Sequence, residues 1–258
     1  MDKDTLHTIN TVVRQAIRMS LMAYGDTCDI RQLAQDAIGA QATRFDRAYT
    51  DTQGFFVEFD NDPSLWIAIR GTEFDNVDDW LTNLDCRKVI TCWGRSHKGF
   101  YGDAMSVYDV LHHRIRQAAE HKGTIFLTGH SQGGAVAEQL FALIKGDYPE
   151  ARVLCVPIEA PKGFDDIAAK ALGKHGHWVF PVVHNNDIVP HLPPGFRHIK
   201  NTAVQYIDRK GKVRRSTRWW SRFWDRLVGM TKAVGKPGVD CLEDHNLARI
   251  EEIWKKQM

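Results

Sequence analysis

Cysteine is sparse and shows no pattern in this chain. Five residues, Cys28, Cys86, Cys92, Cys155 and Cys241, are scattered over 258 positions with no C-x-x-C pair. That spacing argues against a zinc ribbon or dithiol redox motif and fits reduced thiols in a cytosolic protein. Pairing of Cys86 with Cys92 across two strands is left open. No run of about 18 apolar residues occurs, so no membrane-spanning helix is expected. No secretory leader is expected either: the chain opens on Asp2, Lys3 and Asp4, and Arg14 and Arg18 interrupt the apolar stretches that follow. The expectation is a protein soluble and cytoplasmic at synthesis, with leaderless export as the alternative. Charge of one sign is also lacking. The net charge is +2 with neutral histidines, so any basic character must be local. Internal repeats, low-complexity linkers and clusters of metal ligands are absent.

What is present is an ordinary globular composition, 43% hydrophobic and 26% charged, long enough to bury a core without staples. A single domain over 1–258 is expected. Residues 5–24 read as an amphipathic helix, with Leu6, Ile9, Val13, Ala16 and Ile17 at helical spacing. Two β-like runs, 55–59 and 65–69, flank the turn Asp60-Asn61-Asp62-Pro63. A helical pattern over 101–120 leads to an apolar run at 124–128, and a helix is expected over about 135–145. Further strands are expected at 153–158, 178–183 and 203–207, and a last helix over 243–255. Strands alternating with helices imply an α/β fold, a mainly parallel sheet flanked by helices.

The apolar run at 124–128 leads directly into Gly129-His130-Ser131-Gln132-Gly133-Gly134, which fits G-x-S-x-G. The pattern alone arises by chance. Between a strand and a helix it describes a serine on a sharp turn, where flanking side chains would collide and the helix N-terminus offers N–H groups to an oxyanion. A serine hydroxyl needs a base, and the base needs an orienting carboxylate, in the chain order Ser, Asp or Glu, His.

Four separated blocks resemble the class 3 lipase family, the α/β-hydrolases that include the fungal triacylglycerol lipases. Trp66-Ile67-Ala68-Ile69-Arg70-Gly71-Thr72, followed by Asp79-Trp80-Leu81-Thr82-Asn83-Leu84, is similar to the family's strand, RGT and DWxxNL stretch. His97-Lys98-Gly99-Phe100 resembles its HxGF element, 128–137 its nucleophile block, and Asn186-Asp187-Ile188-Val189-Pro190 with Leu192-Pro193-Pro194 the block that carries its acid. The matched order covers roughly 54–247. It departs at Gln132, where leucine is commoner, and at Ala160-Pro161-Lys162, which replaces a commoner Pro-Arg element. Gln132's polar side chain is thereby a candidate to face the pocket.

The resemblance implies a serine carboxylic-ester hydrolase acting on lipid esters, a triacylglycerol lipase or esterase, with a phospholipase A-type activity or a non-catalytic lipid-binding protein as alternatives. Ser131 would be the nucleophile. Asp187, after the strand at 178–183, is the expected acid, with Asp165 and Asp166 as weaker rivals, one of them expected to cap a helix at 166–172. His245, late in the chain beside the terminal helix, is the expected base among twelve histidines. His130 abuts the nucleophile but is expected to point elsewhere. The oxyanion would be held by the backbone N–H of Gln132 and, by resemblance, by Thr72. This chemistry needs no cofactor and no metal; the partner is a lipid or small ester.

Residues 209–236 hold ten Lys or Arg and one acid, Asp225, interleaved with Trp219, Trp220, Phe223 and Trp224. On a helix these aromatics share one face with Leu227 and Met230. Three readings compete: an interfacial helix for peripheral membrane contact, which could also cap the acyl pocket; a helix packed on the core; and, least favoured, a nucleic-acid surface, for which no accompanying motif exists. The family's lid segment corresponds to 73–84, here short and acidic, so a lid is reduced or absent by this reading.

Overall fold

The computed structural model describes residues 3–25, 41–47, 50–71, 86–185, 187–215 and 245–256. The calls on Thr72, on the segment 73–84 and on Trp219, Trp220, Phe223 and Trp224 lie outside the described residues.

An eight-stranded sheet organises the chain. Its strands are β1 (Gln41–Arg47), β2 (Thr52–Phe59), β3 (Asp62–Ile69), β6 (Thr124–His130), β7 (Arg152–Ile158), β8 (Val182–His184), β9 (Gln205–Ile207) and β10 (Val213–Arg215), in that spatial order. The five from β3 to β9 run parallel, and β1, β2 and β10 add antiparallel edges. A separate hairpin pairs β4 (Lys88–Thr91) with β5 (Gly94–His97).

Strand alternation divides the core into two layers. Leu65, Ile67, Ile69, Ile125, Leu127, Val153 and Cys155 face α2 (Lys98–Glu120), α3 (Gln132–Asp147) and α4 (Asp166–Leu172). Trp66, Ala68, Val156 and Ile158 face α1 (Lys3–Met22) and α5 (Leu247–Lys255). The first helix buries Val13, Ala16, Ile17 and Ser20, three and four residues apart, on the sheet. Ser20 Oγ meets Thr128 Oγ1 of β6 at 2.9 Å, so a polar pair registers the helix against the strand that leads to Ser131. Ile250 and Trp254, both buried, fix α5 to the same layer.

The run 178–183 is not one strand. Gly173–Trp178 winds as a 3-10 helix, Val179 makes only an isolated bridge to Cys155, and regular pairing begins at Val182, immediately after Pro181, which has no N–H to give a ladder. Asp165 caps α4 by accepting from Ala168 N at 2.8 Å. Cys86 and Cys92 are not joined by a disulfide. Among the described residues, no helix is long and apolar enough to cross a membrane.

Candidate active site

The carboxyl ends of β3, β6, β7 and β8 lie along one edge of the sheet, and Ser131, Gln132 and Asp187 follow the strands that end there. β6 ends at His130, and Ser131 turns the chain into α3 with φ 54° and ψ −127°. Side chains are disfavoured in that backbone region, so the turn is held by its surroundings. Ser131 N donates to Ile158 O at 2.9 Å, and Ser131 O accepts from Gly134 N at 3.0 Å. A Cβ at Gly129 would strike the Gly133 carbonyl, and one at Gly133 would strike the Ile69 carbonyl. Close backbone approach on both sides therefore requires glycine. Ser131 Oγ is buried and makes no hydrogen bond to another described residue.

The acid loop follows β8. Asp187 is buried; its Oδ1 accepts from Val189 N at 2.9 Å, and its Oδ2 lies 2.7 Å from His245 Nδ1. The loop beyond is pinned from two sides. His198 Nε2 meets Pro190 O at 2.9 Å, and Lys162 N donates to Leu192 O at 2.6 Å. His198 in turn lies 3.4 Å from Glu138, a buried carboxylate on α3. Burial opposes charge on His198, but Glu138 and the Pro190 carbonyl outweigh it and raise its pKa.

His245 stands just before Asn246, which caps α5 by accepting from Ala248 N and Arg249 N. Its ring packs on that of His130, centroids 4.6 Å apart, and His130 Nε2 lies 3.1 Å from the His245 carbonyl. His130 thus turns away from Ser131's hydroxyl role and grips the backbone of the candidate base. Tyr24, after α1, hydrogen-bonds His130 Nδ1 at 2.9 Å. Burial, partly offset by Arg70, pushes the Tyr24 phenol up to about 12, so it is the donor. Nδ1 of His130 then accepts, and its proton sits on Nε2, facing the carbonyl.

Sequence reasoning passed over Glu159, which follows β7. It is fully buried, with φ 48°, and its Oε2 lies 3.4 Å from both His245 Nδ1 and His130 Nε2. The available signal was a lone acid between Ile158 and Ala160-Pro161, at the end of a parallel strand where α/β sites form. His130, Glu159 and His245 offer ligand atoms within 4.8 Å of one another. Those atoms are already engaged with one another and with Asp187, so a metal would compete with the contact that orients His245.

Gln132 opens α3, and its Nε2 donates to Asp103 Oδ2 at 3.1 Å. The two residues line a cavity of about 330 Å³ with Asp51, Thr52, Gln53 and Arg70. Burial lifts the Asp103 carboxyl to about 6, against hydrogen bonds from Gln132 and Thr52 that lower it. The cavity beside Gln132 is therefore largely polar. Together these groups hold a serine, an imidazole oriented by a carboxylate and a helix N-terminus on one edge, the parts required for acyl transfer.

Residues 66–196 match the family model described as class 3 lipase. A secreted mono- and diacylglycerol lipase of Fusarium solani is 28% identical over 169 residues, covering 59% of this chain and 46% of the relative. The chain thus spans about half the length of that curated relative. Among solved structures, the native Rhizomucor miehei lipase propeptide complex superposes with a TM-score of 0.64 at 21% identity, over 82% of this chain and 73% of that one. A nonglycosylated Yarrowia lipolytica lipase gives 0.63 at 19% identity, covering 81% of each chain. At such identities the likeness establishes the fold.

Proposed function

The chain belongs to the class 3 lipase family, and from that premise we propose that it hydrolyses lipid carboxylic esters through an acyl-enzyme on Ser131. The observation that carries this reading is the 2.7 Å contact between Asp187 Oδ2 and His245 Nδ1, on the sheet edge where Ser131 leaves β6. In the first step His245 Nε2 takes the Ser131 proton as Oγ attacks the ester carbonyl. Asp187 holds Nδ1–H and stabilises the imidazolium. Collapse of the tetrahedral intermediate expels the alcohol, which receives the proton, and water activated in the same way releases the acid. The backbone N–H of Gln132 faces the developing oxyanion from the start of α3, and Thr72 is proposed as its companion donor.

The polar cavity beside Gln132 supports an ester whose alcohol part carries hydroxyls. The Fusarium solani relative is named for mono- and diacylglycerols, which keep such hydroxyls free. An acyl chain would gain little from a wall of Asp51, Gln53, Arg70 and Asp103. Delivery from an anionic membrane surface by Trp219, Trp220, Phe223 and Trp224 is a further part of the reading, motivated by their basic setting.

A fluorophosphonate probe and a p-nitrophenyl ester panel test the chemistry. Covalent labelling of the wild type, lost with hydrolysis in Ser131→Ala, is expected. Hydrolysis that survives Ser131→Ala rules out the assignment, and an unlabelled wild type favours a non-catalytic lipid-binding protein. Replacing Trp220 and Trp224 should remove stimulation by anionic vesicles; unchanged stimulation returns that segment to core packing.

A further inference from the structure

One buried acidic side chain lies against the triad without belonging to it. Glu159 leaves β7 at positive φ, a conformation that glycine adopts freely and glutamate does not. Its carboxylate is wholly removed from solvent, which is unfavourable for a charge unless a partner is near. Glycine at this position would avoid both penalties. The backbone is fixed from the sheet, because Glu159 N donates to Val182 O at 2.9 Å.

That conformation aims the side chain at the candidate base. His245 Nδ1 faces Asp187 at 2.7 Å and Glu159 at 3.4 Å, two carboxylates from the ends of adjacent strands. His130 also lies against Glu159, with Nε2 3.4 Å from Oε2. Burial, then the charge of His245, holds the His130 pKa well below the ordinary value, so it is neutral near pH 7. The proton that Tyr24 leaves on His130 Nε2 points toward the His245 carbonyl and Glu159. Arg70 lies beyond Tyr24, 5.7 Å from its ring centre. The Glu159 carboxyl thus lies within ion-pair distance of His245 Nδ1, where an imidazolium would form.

We propose that Glu159 is a second positioning carboxylate for His245, which stabilises the imidazolium beside Asp187 and takes over Nδ1–H when Asp187 cannot hold it. The inference rests on the ester-hydrolase reading. It makes the support of His245 redundant: one carboxylate in hydrogen-bond contact, a second within ion-pair distance.

The test uses the full chain as wild type, Glu159→Gly, Glu159→Gln, Asp187→Asn and Asp187→Asn with Glu159→Gln. Three quantities are read: the rate of fluorophosphonate labelling, kcat and KM for p-nitrophenyl butyrate, and the melting temperature. Glu159→Gly relieves the positive φ, so it should melt no lower than the wild type, while labelling and kcat fall about tenfold with KM unchanged. Asp187→Asn should keep activity about a hundredfold above Ser131→Ala, and adding Glu159→Gln should remove that remainder. The proposal is overturned if Glu159→Gly is labelled as fast as the wild type, or if Asp187→Asn is no more active than the double variant. It is equally overturned if both single Glu159 variants lose melting temperature in step with activity, which would assign Glu159 to the fold. An unlabelled wild type would instead remove the hydrolase reading and this inference with it.

Discussion

β6 and β7 are neighbours in the sheet and end on the same edge. Each hands the chain on through a buried side chain at positive φ, Ser131 at 54° and Glu159 at 48°. Their surroundings differ. The first turn is framed by Gly129, Gly133 and Gly134, whose missing Cβ atoms let three backbones meet. The second runs Ile158-Glu159-Ala160-Pro161, with no glycine until Gly163. Similar backbone strain therefore arises by two routes, one visible as a motif and one invisible. In both places the strained residue borders the candidate site, as expected where function opposes local stability.

Altering each end separately tests that comparison. The largest effect belongs to the β6 end: Ser131→Ala should lower ester hydrolysis by about five to six orders of magnitude, measured as kcat. Next comes a change that acts on both ends at once. Trp254, 1% exposed, anchors the helix that follows His245; Trp254→Ala should cost about 3–5 kcal/mol in denaturant unfolding and loosen His245 from both carboxylates. Gly129→Ala forces a Cβ onto the Gly133 backbone and should cost about 2–3 kcal/mol together with most activity.

A smaller effect follows from Asp103, which touches Gln132 just beyond the β6 turn. Its carboxyl is raised from 3.8 to about 6 by burial. Between those values the folded chain holds a proton that the unfolded chain has lost, so stability falls as pH rises through the window. Asp103→Asn keeps a hydrogen-bonding partner for Gln132 without the charge. It should melt higher than the wild type at pH 8, by about 1–2 kcal/mol, and show little difference at pH 4. The smallest effect is the most direct comparison of the two turns: Ser131→Gly should stabilise the fold by about 1 kcal/mol in the same assay, as Glu159→Gly should hold or raise the melting temperature. A fall at either position would mean that its backbone is not under strain.

Much of this was legible in the sequence because it was carried by pattern. The apolar run ending at Thr128, the glycines around Ser131 and the order of Asp187 and His245 depend on residue type and spacing, which a sequence displays. β1 was hidden because Gln41–Arg47 carries three charges in seven residues and buries only Ala42 and Phe45 among its described side chains. The strand expected over 178–183 failed at Pro181, where a good apolar run meets a residue without an N–H. Glu159 was hidden for another reason. Its significance lies in a φ angle that glutamate does not announce and in a contact with a residue far along the chain. Thr72 and the aromatic segment at 219–224 rest on resemblance and composition alone.

The reach of those contacts also has a temporal side. His245 lies 58 residues after Asp187 and 115 after His130, and α5, which follows it, packs against α1 near the other terminus. Ribosomes deliver the chain in order, so the serine turn and the acid loop emerge before the imidazole that would switch them on. A nascent polypeptide halted anywhere before that histidine would lack the base that the proposed function requires. Order of synthesis thus acts as a timer on the proposed site, whose imidazole is fixed only once α5 has docked.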